Sequence, residues 1–461
     1  MQKAVLAYSG GLDTSVTIRW LIEQGYEVHA VAVDVGQQED FAQIIARGET
    51  AGAASVRVVD AVDRYGAEFL THAIKANGLY EGKYPMVSGL ARPCIVEEVV
   101  NAARRLGADT VAHGCTGKGN DQVRFEVGFY VLAPELKVLA PIRDANIPRE
   151  KAIALAAEWG IPIGAIVSSY SIDENLWGRT AECGPLEDPW VAPPEDAFDR
   201  TTPPADRPSE PAEVAITFDR GIPVALDGET KTLPEIVRAL DALAGSYGFG
   251  RVDMIENRRV GIKSRELYEV PGALSIIRAH QALEDLTLER EVAHHKPQLE
   301  QRWADLVYDG QWFSPLRQAI DAYVDATQAF VTGEVRLRYE PGSCTVVGRR
   351  SEHSLYDLSL ATYGSEDAFD QSHAEGYVRL YGLPLKVWSA TQGATGRCRT
   401  GRVRAGATPA PAGSSGPAGS RRRRRPRRTR SAGPSRSTCG SRSTTWRPAW
   451  PTCARSRTRA C

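Results

Sequence analysis

The sequence predicts an α/β protein: a domain on a doubly wound parallel sheet, followed by an α+β domain, a C-terminal helix and a disordered Arg-rich tail. Three observations carry that expectation. Over the first third of the chain, short apolar runs alternate with amphipathic helical stretches, the pattern of right-handed βαβ units. The first apolar run ends in Ser9-Gly10-Gly11, a glycine turn placed where a strand hands over to a helix. After about residue 168 the rhythm changes to hairpins and long helices.

In chain order, Ala4–Tyr8 is the first strand-like run, and Thr14–Gln24 reads as a helix with Val16, Trp20 and Leu21 near one face and Gly25 just past its end. Val28–Val35 is a second strand ended by Gly36, Asp40–Gly48 a helix, and Ser55–Val59 a third strand. Ile95–Leu106 is strongly amphipathic, and Thr110–His113 follows as a strand. Arg149–Trp159 is helical, stopped by Gly160 and Pro162, with Ile163–Val167 as the next strand. Pro185–Pro211 is rich in proline and acidic residues and reads as a long surface excursion. Val214–Phe218 and Pro223–Leu226 flank Asp219-Arg220-Gly221 as a hairpin, and Glu334–Tyr339 and Cys344–Arg349 flank Glu340-Pro341-Gly342 in the same way. Helices are expected at Leu233–Tyr247, Ala273–Glu289, Glu291–Asp309 and Ser314–Thr327. Ser372–Tyr381 is a short helix, and Leu383–Trp388 leads off the body.

The chain has 461 residues, enough for two to four domains at roughly 100–200 residues each. Its formal net charge of −1 hides a split. Residues 394–461 hold 18 arginines and no Lys, Asp or Glu, so the preceding 393 residues carry 38 basic against 57 acidic groups. An acidic body argues against a duplex-DNA binder, which needs a basic face. Cys94, Cys115, Cys183 and Cys344 are scattered through the body without close pairs, as expected of a reduced, cytoplasmic protein without a zinc site. No secretory signal is visible, and no apolar run approaches the ~18 residues of a membrane span, so no membrane partner is expected.

The segment Ala7-Tyr8-Ser9-Gly10-Gly11-Leu12-Asp13-Thr14-Ser15 is the most informative. Glycines at a strand-to-helix turn let backbone N–H groups approach an anion, and the helix N-terminus adds partial positive charge. Ser9, Thr14 and Ser15 add hydroxyl donors; the plainer alternative is a tight turn with Asp13 or Thr14 as helix cap. The loop is not G-x-G-x-x-G, which excludes a dinucleotide fingerprint. It is not a Walker A motif either: the nearest Gly-Lys pair, Gly117-Lys118, is followed by Gly119 and preceded by Ala112 where the first Walker glycine belongs. Ser-Gly-Gly-x-Asp-Thr resembles the loop of the ATP pyrophosphatase superfamily, which cleaves ATP between the α and β phosphates. That chemistry needs donors for the leaving charge and Mg²⁺ across the phosphates.

Later motifs narrow the resemblance. They are Val33-Asp34-Val35-Gly36-Gln37, Tyr80–Pro85, Ala91-Arg92-Pro93, His113–Phe125, Tyr170–Arg179, Gly250–Asn257 and Val260–Glu269. Occurring in this order over residues 2–393, they are similar to the patterns of the argininosuccinate synthase family. The resemblance implies an enzyme that joins citrulline to aspartate using ATP, through a citrullyl-adenylate, with release of AMP and pyrophosphate. It implies a nucleotide-binding domain over 1–167, a synthetase domain over 168–363 and an oligomerisation helix over 364–393 exchanged within a homotetramer.

The resemblance also implies a site. ATP is expected at Ala7, Tyr8, Ser9, Gly10, Gly11, Leu12, Asp13, Thr14, Ser15, Val33 and Gly114; aspartate at Thr116, Asn120 and Asp121. Citrulline is expected at Tyr84, Ser88, Asn120, Arg124, Ser171, Thr180, Glu256 and Tyr268. Asp13, Asp121 and Arg124 are expected to carry the chemistry: Asp121 pairs with an ammonium, and the Arg124 fork suits a carboxylate. No protein-borne metal site is expected. The family often has serine where this chain has Gly89, with Ser88 as a substitute, and Thr180 stands where the family has serine. Trp159 and Trp177 read as core residues, while His113 either polarises a phosphate or is packed and hydrogen-bonded.

The remaining segment, Ala394–Cys461, contains only Arg, Ala, Ser, Thr, Gly, Pro, Cys, Trp and one Val. It has too little apolar surface to offset chain entropy and is expected to be disordered. Its arginine run at Arg421–Arg425 suits a nucleic acid or the acidic body; its composition is also that of GC-rich DNA translated out of frame, the reading that fits best.

Overall fold

A computed structural model describes residues 2–162 and 169–393 of the chain. The expected strand Ile163–Val167 and the Arg-rich segment 394–461 lie outside the described residues. Contacts divide the chain into two units, Met1–Asp370 and Gln371–Cys461.

The first unit begins with the predicted parallel sheet. Strands β1 (Gln2–Ala7), β2 (Tyr26–Asp34), β3 (Ser55–Asp60), β4 (Thr110–Ala112) and β5 (Lys137–Leu139) lie in the order β3-β2-β1-β4-β5, every pair parallel. Alternate residues of the central strands face two separate cores. Val5, Ala7, Val31 and Val33 join one apolar cluster, while Ala4, Leu6, Ala30 and Ala32 join the other. Burial on both faces explains why these strands read as continuous apolar runs. β5 has only three residues and no period to detect.

Helices flank the sheet: α1 (Leu12–Glu23), α2 (Phe41–Thr50), α3 (Val87–Leu106), α4 (Asp121–Leu132) and α5 (Arg149–Glu158). Asp40 caps α2 by accepting from the N–H groups of Ala42 (3.0 Å) and Gln43 (3.2 Å). α3 starts eight residues earlier than its amphipathic core suggests. Gly89 and Pro93 disguise its first turns, but Met86 precedes it in a left-handed conformation (φ 60°) and the chain is fully buried there. Trp177 is completely buried in the core, with its indole N–H on the Pro85 carbonyl at 2.9 Å, while Trp159 is half-buried and packs against the second cluster.

The rest of the unit is built on two antiparallel sheets. Its strands are β6 (Ser171–Asn175), β7 (Gly178–Glu182), β8 (Ala212–Asp219), β9 (Ile222–Leu226), β10 (Glu229–Thr230), β11 (Arg251–Asn257), β12 (Lys263–Glu269), β13 (Gly333–Glu340) and β14 (Ser343–Arg350). One sheet, β10-β9-β8-β13-β14, contains both expected hairpins. Arg220 (φ 46°) and Gly221 (φ 78°) are both left-handed, as a two-residue hairpin turn requires. The other sheet, β11-β12-β7-β6, was hidden in charged sequence motifs that show no apolar alternation. Helices α6 (Leu233–Ser246), α7 (Pro271–Thr287), α8 (Arg290–Tyr308) and α9 (Pro315–Thr327) lie where periodicity places them. Thr232 and Glu235 form a reciprocal capping box at the start of α6.

The proline-rich stretch is not simply a surface excursion. Its middle is pinned inward by the carboxylate of Glu269, which is 1% exposed. That carboxylate accepts from the backbone N–H groups of Asp199 (2.9 Å), Arg200 (3.0 Å) and Thr201 (2.9 Å), from Thr201 Oγ1 (2.6 Å) and from Arg179 Nη1 (2.9 Å). In the second unit, α10 (Ser372–Thr391) is one continuous helix of 20 residues with Pro384 inside it, longer than the short helix expected. Among the described residues no helix is long and apolar enough to cross a membrane.

Replacing Glu269 by alanine leaves three backbone donors and Arg179 without their acceptor. Urea unfolding of Glu269→Ala should show a loss of about 3–5 kcal/mol, with new protease cleavage between residues 185 and 211. An unchanged unfolding midpoint would show that the clamp does not hold the segment.

Candidate active site

The glycine loop leaves β1 at the sheet's switch point, where the strand order turns from β2 to β4 on either side of β1. Gly11, not Asp13 or Thr14, occupies the cap position of α1; it is extended (φ −73°, ψ 175°) and no side chain caps the helix. The first-turn N–H groups therefore have no side-chain acceptor from a cap. Gly10 is left-handed (φ 75°), and a Cβ there would lie 2.7 Å from Ile44 Cγ1. Arg47 donates to the Gly10 carbonyl, fixing the turn from α2. Ser9 is exposed, with its hydroxyl 3.1 Å from Thr14 Oγ1.

The loop after β4 leans directly on this turn. A Cβ at Gly114 would stand 2.9 Å from Thr14 Cγ2 and 3.1 Å from Thr14 N, so only glycine permits the approach. His113 is 1% exposed and bonded on both sides: Nδ1 accepts from the Cys115 N–H (3.2 Å), and Nε2 contacts Glu126 Oε1 (3.2 Å). Its ring is thus a packed support for the Gly114 loop, the second of the two readings of this residue. Asp13 is half-buried; burial raises its carboxyl pKa, opposed by the charge of Arg149.

Beside the loops lies a cluster of charges. Asp121, the first residue of α4, accepts from Arg92 Nε (3.0 Å) and Nη2 (2.8 Å) and from Arg124 Nη1 (2.7 Å). Arg92 also donates to Asp173 Oδ2 (2.6 Å), which accepts from Ser88 Oγ (2.5 Å) as well. Desolvation alone would raise the Asp121 pKa, but Arg92 and Arg124 together hold it well below the usual carboxylate range. Its side chain keeps 28% exposure, so the ionised group remains reachable. Cys115 stands between the two regions: burial, Asp121 and Asp13 push its thiol pKa up, against Arg92.

The third wall is the β11-β12-β7-β6 sheet, and its register explains the face. Pairing sets Glu256 opposite Ser264, Tyr268 opposite Thr180, Thr180 opposite Asp173 and Glu182 opposite Ser171. With a period of two, Ser171, Asp173, Thr180, Glu182, Glu256, Ser264, Glu266 and Tyr268 all fall on one face. On it, Tyr268 donates to Glu256 Oε2 (2.8 Å) and stacks on Tyr84 at 3.8 Å. Burial raises the Glu256 pKa, with bonds from Tyr268 and Tyr308 lowering it. Tyr84 accepts the Ser88 N–H at 3.1 Å, at the start of α3.

Hydrogen bonds and packing link many of the expected residues to one another, with distinctions. Ala7, Tyr8, Leu12 and Val33 are buried and offer only backbone; Ser15 is also buried, its hydroxyl 3.3 Å from the Tyr8 hydroxyl, so it faces away from the loop mouth. Both ends of the Asn120 amide are engaged, Nδ2 on the Tyr308 hydroxyl (2.8 Å) and Oδ1 with the Arg259 N–H (2.8 Å). Thr116 and Ser171 are exposed. A Cβ at Gly89 would meet Met86 and Val307 at ordinary contact distances (3.5–3.7 Å), whereas the Ser88 hydroxyl reaches the charge cluster. Arg92, Asp173, Tyr308 and Arg258 were not singled out from the sequence. Arg92 and Asp173 lie inside the quoted motifs and were legible there; Arg258 falls in the gap between Gly250–Asn257 and Val260–Glu269, and Tyr308 ends an amphipathic helix and reads as core. Among the described residues no group of His, Cys, Asp or Glu is arranged to hold a metal by itself.

Known proteins resemble this chain along its body. The family model for the Arginosuccinate synthase N-terminal HUP domain matches residues 3–162, and that for the Arginosuccinate synthase C-terminal domain matches residues 170–388. An argininosuccinate synthase of Bacillus licheniformis is 52% identical over 392 residues, covering 85% of this chain and 97% of that protein. One of Bacillus subtilis is 51% identical over 387 residues, covering 84% and 96%. Among solved structures, a 4-thiouridine synthetase in complex with RNA and bound ATP aligns with 35% of this chain and 41% of its own, at 17% identity and a TM-score of 0.27, too slight a likeness to carry an argument. Two matched domains in sequence order, and half of all positions shared over nearly the full length of these relatives, establish that the chain belongs to the argininosuccinate synthase family.

Proposed function

We propose that this protein condenses L-citrulline with L-aspartate at the expense of ATP, releasing argininosuccinate, AMP and pyrophosphate. The observation that carries the reading is the Asp121–Arg92–Arg124 cluster, set between an uncapped phosphate-type loop and a sheet face bearing Glu256 and Tyr268.

The chemistry suits that arrangement. A ureido oxygen is a poor leaving group. Its attack on the α-phosphorus of ATP expels pyrophosphate and makes the oxygen part of AMP; the aspartate amine then attacks the ureido carbon, and AMP leaves. N–H groups of the first turn of α1, with Ser9 and Thr14, receive the pyrophosphate charge. Asp13, the acid of the loop, is the residue that would help hold a Mg²⁺ bound with ATP, which would supply charge neutralisation for the phosphates. Arg124, with Nε on the Tyr308 carbonyl and Nη1 on Asp121, offers its Nη2 donors to the citrulline carboxylate, and Glu256 takes the citrulline ammonium. Ser88, Ser171, Thr180, Tyr84 and Tyr268 line the same face. Asp121, kept ionised by two guanidiniums, is an acceptor for the aspartate ammonium, and Thr116 a donor to its carboxylate. Asn120 acts mainly as a clamp between Tyr308 and Arg259 unless a ligand displaces one partner. Asp13, Asp121 and Arg124 are the residues on which turnover depends most.

By family resemblance we also infer a cytoplasmic homotetramer that uses α10 for assembly, with domains divided near residue 167. The alternative of another adenylating enzyme with the same glycine loop, such as a tRNA thiolase, would need a catalytic cysteine pair that the spacing of Cys94, Cys115 and Cys183 does not offer, and a nucleic-acid-binding role would rest on the arginine run at Arg421–Arg425 alone.

Citrulline carrying oxygen-18 in its ureido group tests the reaction: label should appear in AMP, and AMP free of label would rule out the adenylate. Asp13→Ala should abolish pyrophosphate release while leaving the circular-dichroism spectrum and melting midpoint unchanged. Normal turnover in that variant would reduce Asp13 to a helix-terminus acid.

A further inference from the structure

One side chain that the reaction scheme does not use joins the aspartate loop to the citrulline face. Arg258 opens the turn between β11 and β12; its N–H donates to the Ile262 carbonyl (2.9 Å), and the Gly261 N–H donates back to the Arg258 carbonyl (2.9 Å). The guanidinium folds onto the sheet face. Nη2 donates to Glu182 and Glu266, and Nε donates to Ser264 Oγ (2.6 Å). Nη1 leaves the sheet and donates to the Lys118 carbonyl (3.3 Å). The next residue adds a second link, the Arg259 N–H on Asn120 Oδ1 at 2.8 Å.

Those links matter because little else shapes the loop. In Gly117-Lys118-Gly119 two of three residues have no side chain with which to pack, and the Lys118 side chain is exposed. All three carbonyls are instead taken by side chains: Gln122 Nε2 donates to Gly117 (2.7 Å) and Gly119 (3.2 Å), and Arg258 to Lys118. Arg258 is thereby the contact that ties the middle of the loop to the opposite sheet. Its Nε lies 3.8 Å from Glu256 Oε1, while Glu182 and Glu266 occupy Nη2, so Glu256 is approached but not consumed.

We propose that Arg258 is a positioning residue for the second half of the reaction: it holds the Thr116–Asp121 loop in register with the Glu256–Tyr268 face, so that aspartate is presented to activated citrulline. The inference rests on the citrulline–aspartate reading above. Lysine is not a substitute, because one ammonium does not span the Lys118 carbonyl, Ser264 and the side-chain oxygens of Glu182 and Glu266 as a planar fork does.

The test is steady-state kinetics of Arg258→Gln. The aspartate KM should rise tenfold or more. The KM for ATP, and the citrulline-dependent exchange of pyrophosphate into ATP, should stay within twofold. Because this variant leaves Glu182, Glu256 and Glu266 crowded, a double variant, Arg258→Gln with Glu266→Gln, guards against misfolding. Burial, then Glu182 and Glu256, raise the Glu266 pKa to about 9 against the opposing Arg258, so glutamine copies its protonated form. The melting midpoint should recover in the double variant and the aspartate KM should not; Glu266→Gln alone should keep the aspartate KM within twofold. The sign of the pH effect follows from the raised value: stability from protonated Glu266 is fully present below the ordinary glutamate range and is lost as pH rises through about 9, and Glu266→Gln should abolish that loss. An aspartate KM within twofold of wild type in both Arg258 variants, or an ATP KM rising in step with it, overturns the proposal. A wild-type protein that makes no argininosuccinate overturns the function reading and this inference with it.

Discussion

The carboxylate of Asp121 is the constraint on which the rest of the site depends. Two guanidiniums converge on it, one from α3 through Arg92 and one from its own helix through Arg124. Each arginine is spoken for elsewhere: Arg92 also holds Asp173 on β6, and Arg124 donates to the Tyr308 carbonyl at the end of α8 (3.0 Å). A single acid therefore fastens the helices of the parallel sheet to the antiparallel wall. Arg92 and Arg124 are nearly buried, with 13% and 6% of their side chains exposed, and unpaired they would be costly there. The arrangement exists only because all partners arrive together.

The same logic of buried charge recurs away from the site. Lys296 is 1% exposed and is held by Glu284 (2.9 Å), Glu300 (2.5 Å) and the Lys75 carbonyl (2.8 Å), with Asn77 donating to both glutamates. Glu269 collects backbone donors from the proline-rich stretch. In each case a polar group serves as the hub of segments far apart in sequence. Hydrophobic burial supplies the bulk of the cohesion, and these hubs determine which segments meet.

How much of this was legible depended on whether a segment's pattern is local. The strands β1 to β3 and helices α1 and α2 were plain, because burial on both faces makes short apolar runs and glycine marks their ends. The hairpin turns at Arg220-Gly221 and Pro341-Gly342 were plain for the same reason, since turn chemistry is a two-residue property. The strands of the site wall were not, because Glu256, Glu266, Thr180 and Asp173 occupy the face that an ordinary sheet would make apolar. The early start of α3 was obscured by Gly89 and Pro93, and the inward pinning of residues 199–201 by an acceptor about seventy positions away.

By itself the sequence determined the class of fold, the glycine loop after the first strand, the ordered motifs that mark the family and the residue types available to a charged cleft. Those are properties of neighbours in the chain, fixed by backbone sterics, periodicity and spacing. The tertiary structure alone decided that Gly11 rather than Asp13 ends α1, that Ser15 turns inward to Tyr8, that His113 supports the Gly114 loop, and that Arg92 and Arg258 are the cross-links of the site. The Arg92 and Arg258 cross-links depend on donors meeting acceptors 29 to 140 residues away in the chain, and even the short-range outcomes depend on packing that turns each side chain inward or outward.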